Sequence, residues 1–180
     1  MTRPDPSKAD LRREMRRLLA DGRHDPEPVR RSLLRWLAEH PQCVTIATYA
    51  ALPGEVDLMP AVRVRPERRW VFPRVVGESL VFHQVTEPED DLAPGAFGVA
   101  EPLPSQPLVP IGEIDAFLCP GLAFDARGSR LGRGRGFYDR LLACARPGAI
   151  KLGIAFAHQV RDTIPCDPHD VRMDVVIRPS

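Results

Sequence analysis

The chain has 180 residues, and its 25 lysines and arginines against 24 aspartates and glutamates leave a formal net charge of only +1. This near-neutral charge excludes a general electrostatic attraction to nucleic acid or to membranes, and the length suits a single domain over residues 1–180. The charged N-terminal stretch and the lack of a long apolar run predict a cytoplasmic protein, which we expect to be a monomer rather than an oligomer.

Apolar residues at helical spacing predict two helices at the start of the chain. Ser7 can cap the first helix, and the pair Asp25-Pro26 can open the second. The apolar residues concerned are Leu11, Met15, Leu18 and Leu19 in the first helix and Val29, Leu33, Trp36 and Leu37 in the second.

Short runs of β-branched and aromatic residues between turn residues predict strands further along the chain. These runs are residues 44–49, 70–72, 80–85, 116–119, 152–156 and 174–177. Further helices are predicted at residues 58–64, after Gly136 and around residues 158–163. Such alternation predicts a three-layer α/β/α domain with a largely parallel, mixed, Rossmann-like sheet, whose ligands bind beyond the carboxyl ends of the strands.

Two features of the chain predict no site of their own. The segment from residue 86 to residue 112 is rich in proline and is predicted to be an irregular surface connection. The cysteines show no Cys-x-x-Cys spacing, and Cys119 and Cys144 lie within apolar patterns. We expect reduced core cysteines rather than disulfides or zinc ligands.

The glycine- and arginine-rich run of residues 128–140 has a phosphate-binding composition. Glycines at every second position let backbone N–H groups approach an anion and permit positive φ, and the arginines add fixed positive charge. A helix that begins after the last glycine would turn its free N–H groups to the same anion. The spacing is neither a dinucleotide fingerprint nor a Walker loop, and an arginine-rich surface turn is the alternative. The residues are Arg130, Gly132, Arg133, Gly134, Arg135 and Gly136.

Lys8 is unusual because this chain otherwise uses arginine for nearly all of its basic side chains, with Lys151 as the other lysine. A compact ammonium can contact phosphate oxygens as a point charge. Lys8 and Arg12 are four residues apart and so share one face of the first helix. A solvated helix face is the alternative, and we favour it for Arg13, Arg16 and Arg17.

Three carboxylates are candidate ligand-binding groups. Glu55 follows a turn at the end of the strand predicted at residues 44–49, where loop residues often form sites. Asp139 lies in the first turn after the glycine loop, where it can hold a metal ion that bridges phosphates, or else contact the helix dipole. Asp170 is the second candidate metal ligand, with a turn residue as the alternative. Asp167 and His169 lie close enough in sequence to confuse that assignment.

Asp57, Asp125 and Asp174 are interpreted as structural residues. We expect Asp57 to cap the helix predicted at residues 58–64.

Residues 120–140 resemble the signature of the 5-formyltetrahydrofolate cyclo-ligase family, also called 5,10-methenyltetrahydrofolate synthetases. The similarity extends in the family's order over nearly the whole chain, with residues 60–97 the least diagnostic part. The matching residues include Lys8, Leu11, Arg12, Tyr49, Glu55, Val56, Asp57, residues 98–102, residues 152–156, Gln159, Pro165, Asp170 and Asp174.

The resemblance implies an ATP-dependent closure of 5-formyltetrahydrofolate to 5,10-methenyltetrahydrofolate, with Mg²⁺ as the cofactor. It implies an ATP site made of Lys8, Arg12, Arg130, Leu131, Gly132, Arg133, Gly134, Arg135, Gly136, Phe137 and Tyr138. It implies a folate site made of Tyr49, Glu55, Arg133, Gly134, Arg135, Gly136 and Phe137. It also implies catalytic roles for Arg130, Arg133, Arg135 and Tyr138, and metal ligation by Asp139 and Asp170.

The chain departs from the family's pattern at Leu58, where the family usually has threonine, and this weakens any functional role for position 58. Two other functions remain open. One is a non-catalytic relative that binds a nucleotide or RNA through the arginines. The other is a kinase acting on another small metabolite, which would share the phosphate-binding residues but would not need Glu55.

Overall fold

The computed structural model describes residues 7–20, 22 and 24–180. The helices are α1 (Lys8–Leu19), α2 (Glu27–Glu39), α3 (Met59–Arg63), α4 (Pro88–Asp91) and α5 (Phe137–Leu142). The strands are β1 (Thr45–Ala47), β2 (Arg69–Val76), β3 (Ser79–Gln84), β4 (Leu92–Pro94), β5 (Ala100–Pro102), β6 (Leu108–Val109), β7 (Ala116–Cys119), β8 (Ala123–Asp125), β9 (Arg130–Leu131), β10 (Ile150–Ile154), β11 (Val160–Arg161) and β12 (Val175–Ile177).

The main sheet has seven strands in the order β12-β10-β7-β1-β2-β3-β6. The five strands from β12 to β2 are mutually parallel, whereas β3 is antiparallel to β2 and β6 is antiparallel to β3. All six strands predicted from the sequence lie in this sheet. The predicted α/β class with a largely parallel, mixed sheet is therefore confirmed.

Helices cover both faces of the sheet. Ile46 of β1 and Trp70 of β2 belong to a hydrophobic cluster that includes residues of α1, α2 and α3. Ala47 and Val71, their neighbours in sequence, belong to a second cluster that includes Leu141 and Leu142 of α5. Because successive side chains of a strand point to opposite faces, the two clusters are the cores on the two sides of the sheet.

The two N-terminal helices form as predicted. The Ser7 hydroxyl accepts a hydrogen bond from the backbone N–H of Asp10 and so caps α1, while the Asp25 carboxylate accepts one from the N–H of Glu27 at the start of α2. Of the apolar residues assigned to their buried faces, only Leu18 is exposed. None of the described helices is long and apolar enough to cross a bilayer.

Three predictions about local structure are wrong. Residues 158–163 do not form an α-helix, because the chain makes one 3₁₀ turn at Ala157–Gln159 and then pairs β11 with β8. Residues 86–112 are not irregular, since they contain α4, β4, β5 and β6. Cys144 is exposed because α5 ends at Leu142, before that residue.

Candidate active site

A cavity of about 290 Å³ lies beyond the carboxyl ends of the central parallel strands. Tyr49 follows β1, and Pro120 and Gly121 follow β7, and all three line the cavity. This is the location expected for ligands in an open α/β sheet. Every site residue predicted from the sequence lines the cavity, namely Lys8, Arg12, Tyr49, Glu55, Arg130, Leu131, Gly132, Arg133, Gly134, Arg135, Gly136, Phe137, Tyr138, Asp139 and Asp170.

The glycine loop, defined here as residues 132–136, connects β9 to α5. Gly134 and Gly136 have φ angles of 105° and 66°, which confirms that the loop uses the left-handed region that glycine favours. Two arginines of α1 fasten its main chain. Arg12 Nε donates to the carbonyl of Gly132 at 3.0 Å, and Arg16 donates to the carbonyl of Arg133 at 3.1 Å.

Arg16 is exposed, as predicted for a residue of a solvated helix face, and its guanidinium also reaches across to the glycine loop. Arg13 instead forms an exposed ion pair with Asp10 on the same helix, as expected of a surface arginine.

Arg130 and Asp139 form an ion pair beneath the loop. One terminal guanidinium nitrogen of Arg130 lies 3.0 Å from Asp139 Oδ1, and only 4 % of the Arg130 side chain is exposed. Asp139 Oδ1 also accepts a hydrogen bond from the backbone N–H of Val171 at 3.4 Å, which places Asp139 beside the segment that carries Asp170. The Arg130 Nε atom is buried and has no hydrogen-bond partner among the described residues.

Glu55 pairs with the second arginine of the motif. Arg133 Nε donates to Glu55 Oε1 at 2.9 Å, and the backbone N–H of Leu52 donates to Glu55 Oε2 at 3.0 Å. Only 8 % of the Glu55 side chain is exposed, against 37 % for Arg133. The two residues are far apart in sequence, and the fold brings them together at the cavity wall.

Lys8 lies between two acidic side chains. Its Nζ contacts Asp167 Oδ2 at 2.6 Å and also contacts Asp170 Oδ2. Burial lowers the pKa of Lys8, but hydrogen bonds and charge attraction from both carboxylates outweigh it, so the pKa lies above 10.5. Burial likewise raises the pKa of Asp170, but hydrogen bonds from Lys8 and from the Asp167 N–H bring it below 3.8.

Possible metal-binding groups meet at the same place. Atoms of Asp167, His169 and Asp170 lie within 4.8 Å of one another. Asp170, predicted as the second metal ligand, lines the cavity, and so do its neighbours Asp167 and His169, which the sequence alone could not separate from it. Asp139 is outside this compact group but lines the same cavity.

Two tyrosines line the cavity, of which Tyr49 is buried and Tyr138 is partly buried. Burial raises the pKa of both Tyr49 and Tyr138 well above 10, so both phenols are neutral at physiological pH. The Tyr49 hydroxyl donates to the carbonyl of Val56 at 3.1 Å. This bond connects the cavity wall to the loop that carries Glu55.

The segment from Ala96 to Glu101 forms one wall of the cavity, although no residue of it was predicted to belong to the site. Phe97 has a φ of 57°, the only positive φ of a non-glycine residue in the described chain. The Arg135 guanidinium carbon lies 3.7 Å from the centre of the Phe97 ring, a close cation–π contact. Glu101, which is buried, accepts a hydrogen bond from the backbone N–H of Val75 at 3.2 Å and so ties this segment to β2. Gly95 and Gly98 were the sequence signal that could have indicated a tight turn at this wall.

The remaining acidic residues have structural contacts. Asp57 Oδ1 accepts from the backbone N–H of Met59 at 3.0 Å and stabilises the start of α3, close to the predicted capping role. Asp125 is buried and accepts backbone hydrogen bonds, including those of Ser129 and Ile164. Leu58 is buried in the hydrophobic core. Its side chain therefore packs in the core, where an apolar residue is stable in place of the family's threonine.

Comparisons with known proteins identify the family of the chain. Residues 5–179 match the model of the 5-formyltetrahydrofolate cyclo-ligase family. The 5-formyltetrahydrofolate cyclo-ligase of Haemophilus influenzae is 30% identical over 153 residues, which cover 78% of this chain and 79% of that protein. The corresponding protein of Mycolicibacterium smegmatis is 45% identical over 90 residues, and that match spans 49% of this chain and 46% of the relative, about half its length.

Two solved structures share the fold. The 5,10-methenyltetrahydrofolate synthetase of Aquifex aeolicus superposes with a TM-score of 0.79 and 32% identity, over 96% of this chain and 89% of that chain. A 5,10-methenyltetrahydrofolate synthetase from Mycoplasma pneumoniae gives a TM-score of 0.76 and 25% identity, over 96% and 98% of the two chains. From the extent of the family match and from these similarities, the chain belongs to the 5-formyltetrahydrofolate cyclo-ligase family.

Proposed function

We propose that the protein converts 5-formyltetrahydrofolate to 5,10-methenyltetrahydrofolate at the expense of ATP, with ADP and phosphate as the other products. The observation that carries this proposal is that one cavity unites the glycine loop with Glu55, in a chain that belongs to the cyclo-ligase family. The cavity thus offers cationic groups for phosphates and a carboxylate for an organic substrate.

The chemistry explains why such a site needs both parts. The formyl group on N5 resembles an amide, and its oxygen is a poor leaving group. Attack of that oxygen on the γ-phosphorus of ATP releases ADP and makes an imidate phosphate. N10 then bonds to the activated carbon, its proton is lost, and phosphate leaves. The phosphoryl transfer requires alignment and charge stabilisation more than a protein nucleophile.

The cationic residues of the cavity are suited to the triphosphate. Lys8 and Arg12 of α1 and Arg130 of β9 line the cavity together with the glycine loop, and Arg12 bonds the Gly132 carbonyl. Arg130 has a buried Nε donor with no acceptor among the described residues, and a phosphate oxygen would satisfy it. Arg133 and Arg135 add positive charge from the loop itself.

The acidic groups at the Lys8 end of the cavity fit a magnesium ion. Mg²⁺ prefers oxygen ligands and is commonly bound by one or two carboxylates together with phosphates and water. Asp139, Asp167 and Asp170 supply carboxylates there, whereas the imidazole of His169 is a poorer ligand for this ion. When bound, Mg²⁺ would neutralise the negative charge of the phosphates.

Glu55 and Tyr49 are the proposed folate-binding groups. A carboxylate can accept hydrogen bonds from the amino and ring N–H groups of a pterin. Glu55 is held at the cavity wall by Leu52, and its loop is tied to Tyr49 through the carbonyl of Val56. The position of Glu55 in the cavity favours this function over a kinase for another metabolite or an RNA-binding role.

The proposal extends to the organisation of the chain. The main sheet joins strands from β1 to β12 and supports a single domain. We propose a cytoplasmic monomer that acts on small molecules. Sedimentation of the purified protein tests the monomeric state.

The test is a direct assay of turnover. Purified protein is incubated with 5-formyltetrahydrofolate, ATP and Mg²⁺, and the methenyl chromophore is followed by absorbance. We expect product formation that requires both ATP and the divalent cation. Methenyl product formed at full rate without nucleotide, or no product with all components present, would contradict the proposed function.

A further inference from the structure

The ion pair between Arg133 and Glu55 joins the phosphate-binding loop to the proposed pterin acceptor. The family resemblance implies a place for Arg133 at both ligands, and under the proposed function its guanidinium adds positive charge for the phosphates, whereas Glu55 accepts hydrogen bonds from the pterin. The structure nevertheless pairs them, with Arg133 Nε 2.9 Å from Glu55 Oε1. While the pair is formed, Arg133 occupies a carboxylate oxygen that the pterin needs, and Glu55 holds a guanidinium that the phosphates need.

Glu55 offers a ligand little access to its carboxylate while this pair exists, because two of its about four acceptor positions are taken and the side chain is mostly buried. Its Oε2 accepts from the N–H of Leu52 at 3.0 Å and its Oε1 accepts from Arg133, and only 8 % of the side chain is exposed. A pterin that approaches Glu55 with N–H donors competes directly with the guanidinium for Oε1. Binding of the folate in this way requires Arg133 to move away.

The Arg133 side chain can change its position while the main chain of the loop stays in place. The main chain of the loop is held by Arg16, which donates to the Arg133 carbonyl, and by Arg12, which donates to the Gly132 carbonyl. The Arg133 side chain itself is 37 % exposed, and Glu55 is the only carboxylate that pairs with it within the described part of the chain. Once released, its guanidinium is free to bind an anionic ligand in the cavity that it lines.

We propose that the Arg133–Glu55 pair is an exchangeable contact that couples the two substrates, so that the binding of each one favours the binding of the other. Entry of the folate engages Glu55 and releases Arg133 to the phosphates, and binding of the nucleotide draws Arg133 away and exposes Glu55 to the pterin. The inference rests on the proposed function for the identity of the ligands. Linkage requires the coupling to be equal in both directions.

Removing the charge of Glu55 should tighten the binding of the nucleotide, although Glu55 is the proposed folate-binding residue. Glu55→Gln keeps the size of the side chain but removes the charge that holds Arg133. The variant should bind folate more weakly, as loss of a charged acceptor predicts, yet bind the nucleotide more tightly than the wild type does, by about fivefold. A simple folate-binding role for Glu55 would leave nucleotide affinity unchanged.

The experiment measures the affinity of a non-hydrolysable ATP analogue with Mg²⁺ by calorimetry, with and without saturating 5-formyltetrahydrofolate. In the wild type, the folate should tighten analogue binding about fivefold or more. In Glu55→Gln, the analogue should already bind tightly without folate. Asp57→Asn is the matched control, because it removes a negative charge from the same loop but Asp57 bonds the N–H of Met59 rather than Arg133.

The outcomes separate the inference from the proposed function. Binding of both ligands to the wild type without mutual tightening overturns the coupling but leaves the function intact. Equal tightening in Asp57→Asn and Glu55→Gln overturns it too, because the effect would then be general electrostatics. Failure of the wild type to bind either ligand overturns the proposed function itself. If Glu55→Gln does not fold, Arg133→Met replaces it, and retained coupling in that variant overturns the inference.

Discussion

The two ion pairs that arginines of the glycine motif make with carboxylates differ in burial. In the Arg130–Asp139 pair, 4 % of the arginine side chain and 18 % of the aspartate side chain are exposed. In the Arg133–Glu55 pair, the arginine is 37 % exposed, although the glutamate is 8 % exposed. Removing one partner from a buried pair leaves an uncompensated charge, whereas a pair with a solvated partner can open at low cost. The first pair is therefore a fixed support for the site and the second is exchangeable.

The largest expected effect tests this difference through stability. Asp139→Ala should lower the free energy of unfolding by about 3 kcal/mol, because it leaves the Arg130 guanidinium, on a side chain that is 4 % exposed, without its counter-charge. Glu55→Ala should lower it by less than about 1 kcal/mol, since the Arg133 side chain is 37 % exposed and water can solvate its charge when the glutamate is absent. Urea denaturation of both variants and the wild type gives the comparison. Equal losses in the two variants would show that burial does not distinguish the pairs.

A smaller effect is expected from Asp139→Asn, which keeps the shape of the side chain but removes its charge. Mg²⁺ affinity in the ATP complex should fall by about tenfold, corresponding to about 1.4 kcal/mol, and single-turnover rates should suffer more than ATP binding. Backbone donors and arginines can still hold the triphosphate. Titration with Mg²⁺ measures the change. If Asp139→Asn reacts as fast as the wild type at limiting Mg²⁺, Asp139 is not a metal ligand and serves only as the ion-pair partner of Arg130.

Asp167→Asn is the informative companion to that variant. Asp167 is in the compact group with His169 and Asp170, and its side chain is 52 % exposed. If its loss lowers Mg²⁺ affinity more than the loss of Asp139 does, the ligand assignment moves to the 167–170 segment.

The composition of the site could be predicted from the sequence, but its internal pairing could not. The glycine spacing and the scarcity of lysine are local signals, and they identified residues that all line the cavity. The Arg133–Glu55 pair joins residues separated by 78 positions, and the Lys8–Asp170 pair joins residues separated by 162. Such contacts depend on the order of strands in the sheet, which no local pattern specifies. The loop contact of Arg16 was not predicted for the same reason, because its acceptor is a carbonyl far along the chain.

The fold shows a similar division. The strands of the parallel core were predicted because each is a continuous run of β-branched or aromatic residues. The strands within residues 86–112 were missed because they have two or three residues each, and because β4 and β5 include a proline. Their pairing is specified by tertiary contacts, such as the hydrogen bond from Val75 to the buried Glu101. Local propensity is a weak guide for elements of this length.

The smallest expected effect concerns Lys8, which pairs with one mostly buried carboxylate and with one exposed carboxylate. The Lys8 and Asp170 side chains are 17 % and 14 % exposed, but Asp167, the other partner, is largely solvated. Lys8→Met keeps the apolar stem and removes the ammonium. It should raise the apparent KM for ATP about fivefold and lower stability at neutral pH by less than about 1 kcal/mol. An unchanged ATP dependence would return Lys8 to a surface role.

The pH dependence of this variant gives the sharper test, because the two pKa shifts act at opposite ends of the range. The pKa of Asp170 is lowered in the folded state, so its pairing stabilises the protein above 3.8 and this contribution is lost as the pH falls through the lower folded value. The pKa of Lys8 is raised, so its contribution is present below 10.5 and is lost as the pH rises through the higher folded value. The stability difference between wild type and Lys8→Met should therefore be constant around neutral pH and disappear in acid, where the carboxylates are protonated. Thermal unfolding across the acid range measures it, and a difference that persists at a pH well below 3.8 would mean that the Lys8 ammonium does not stabilise the site by pairing with these carboxylates.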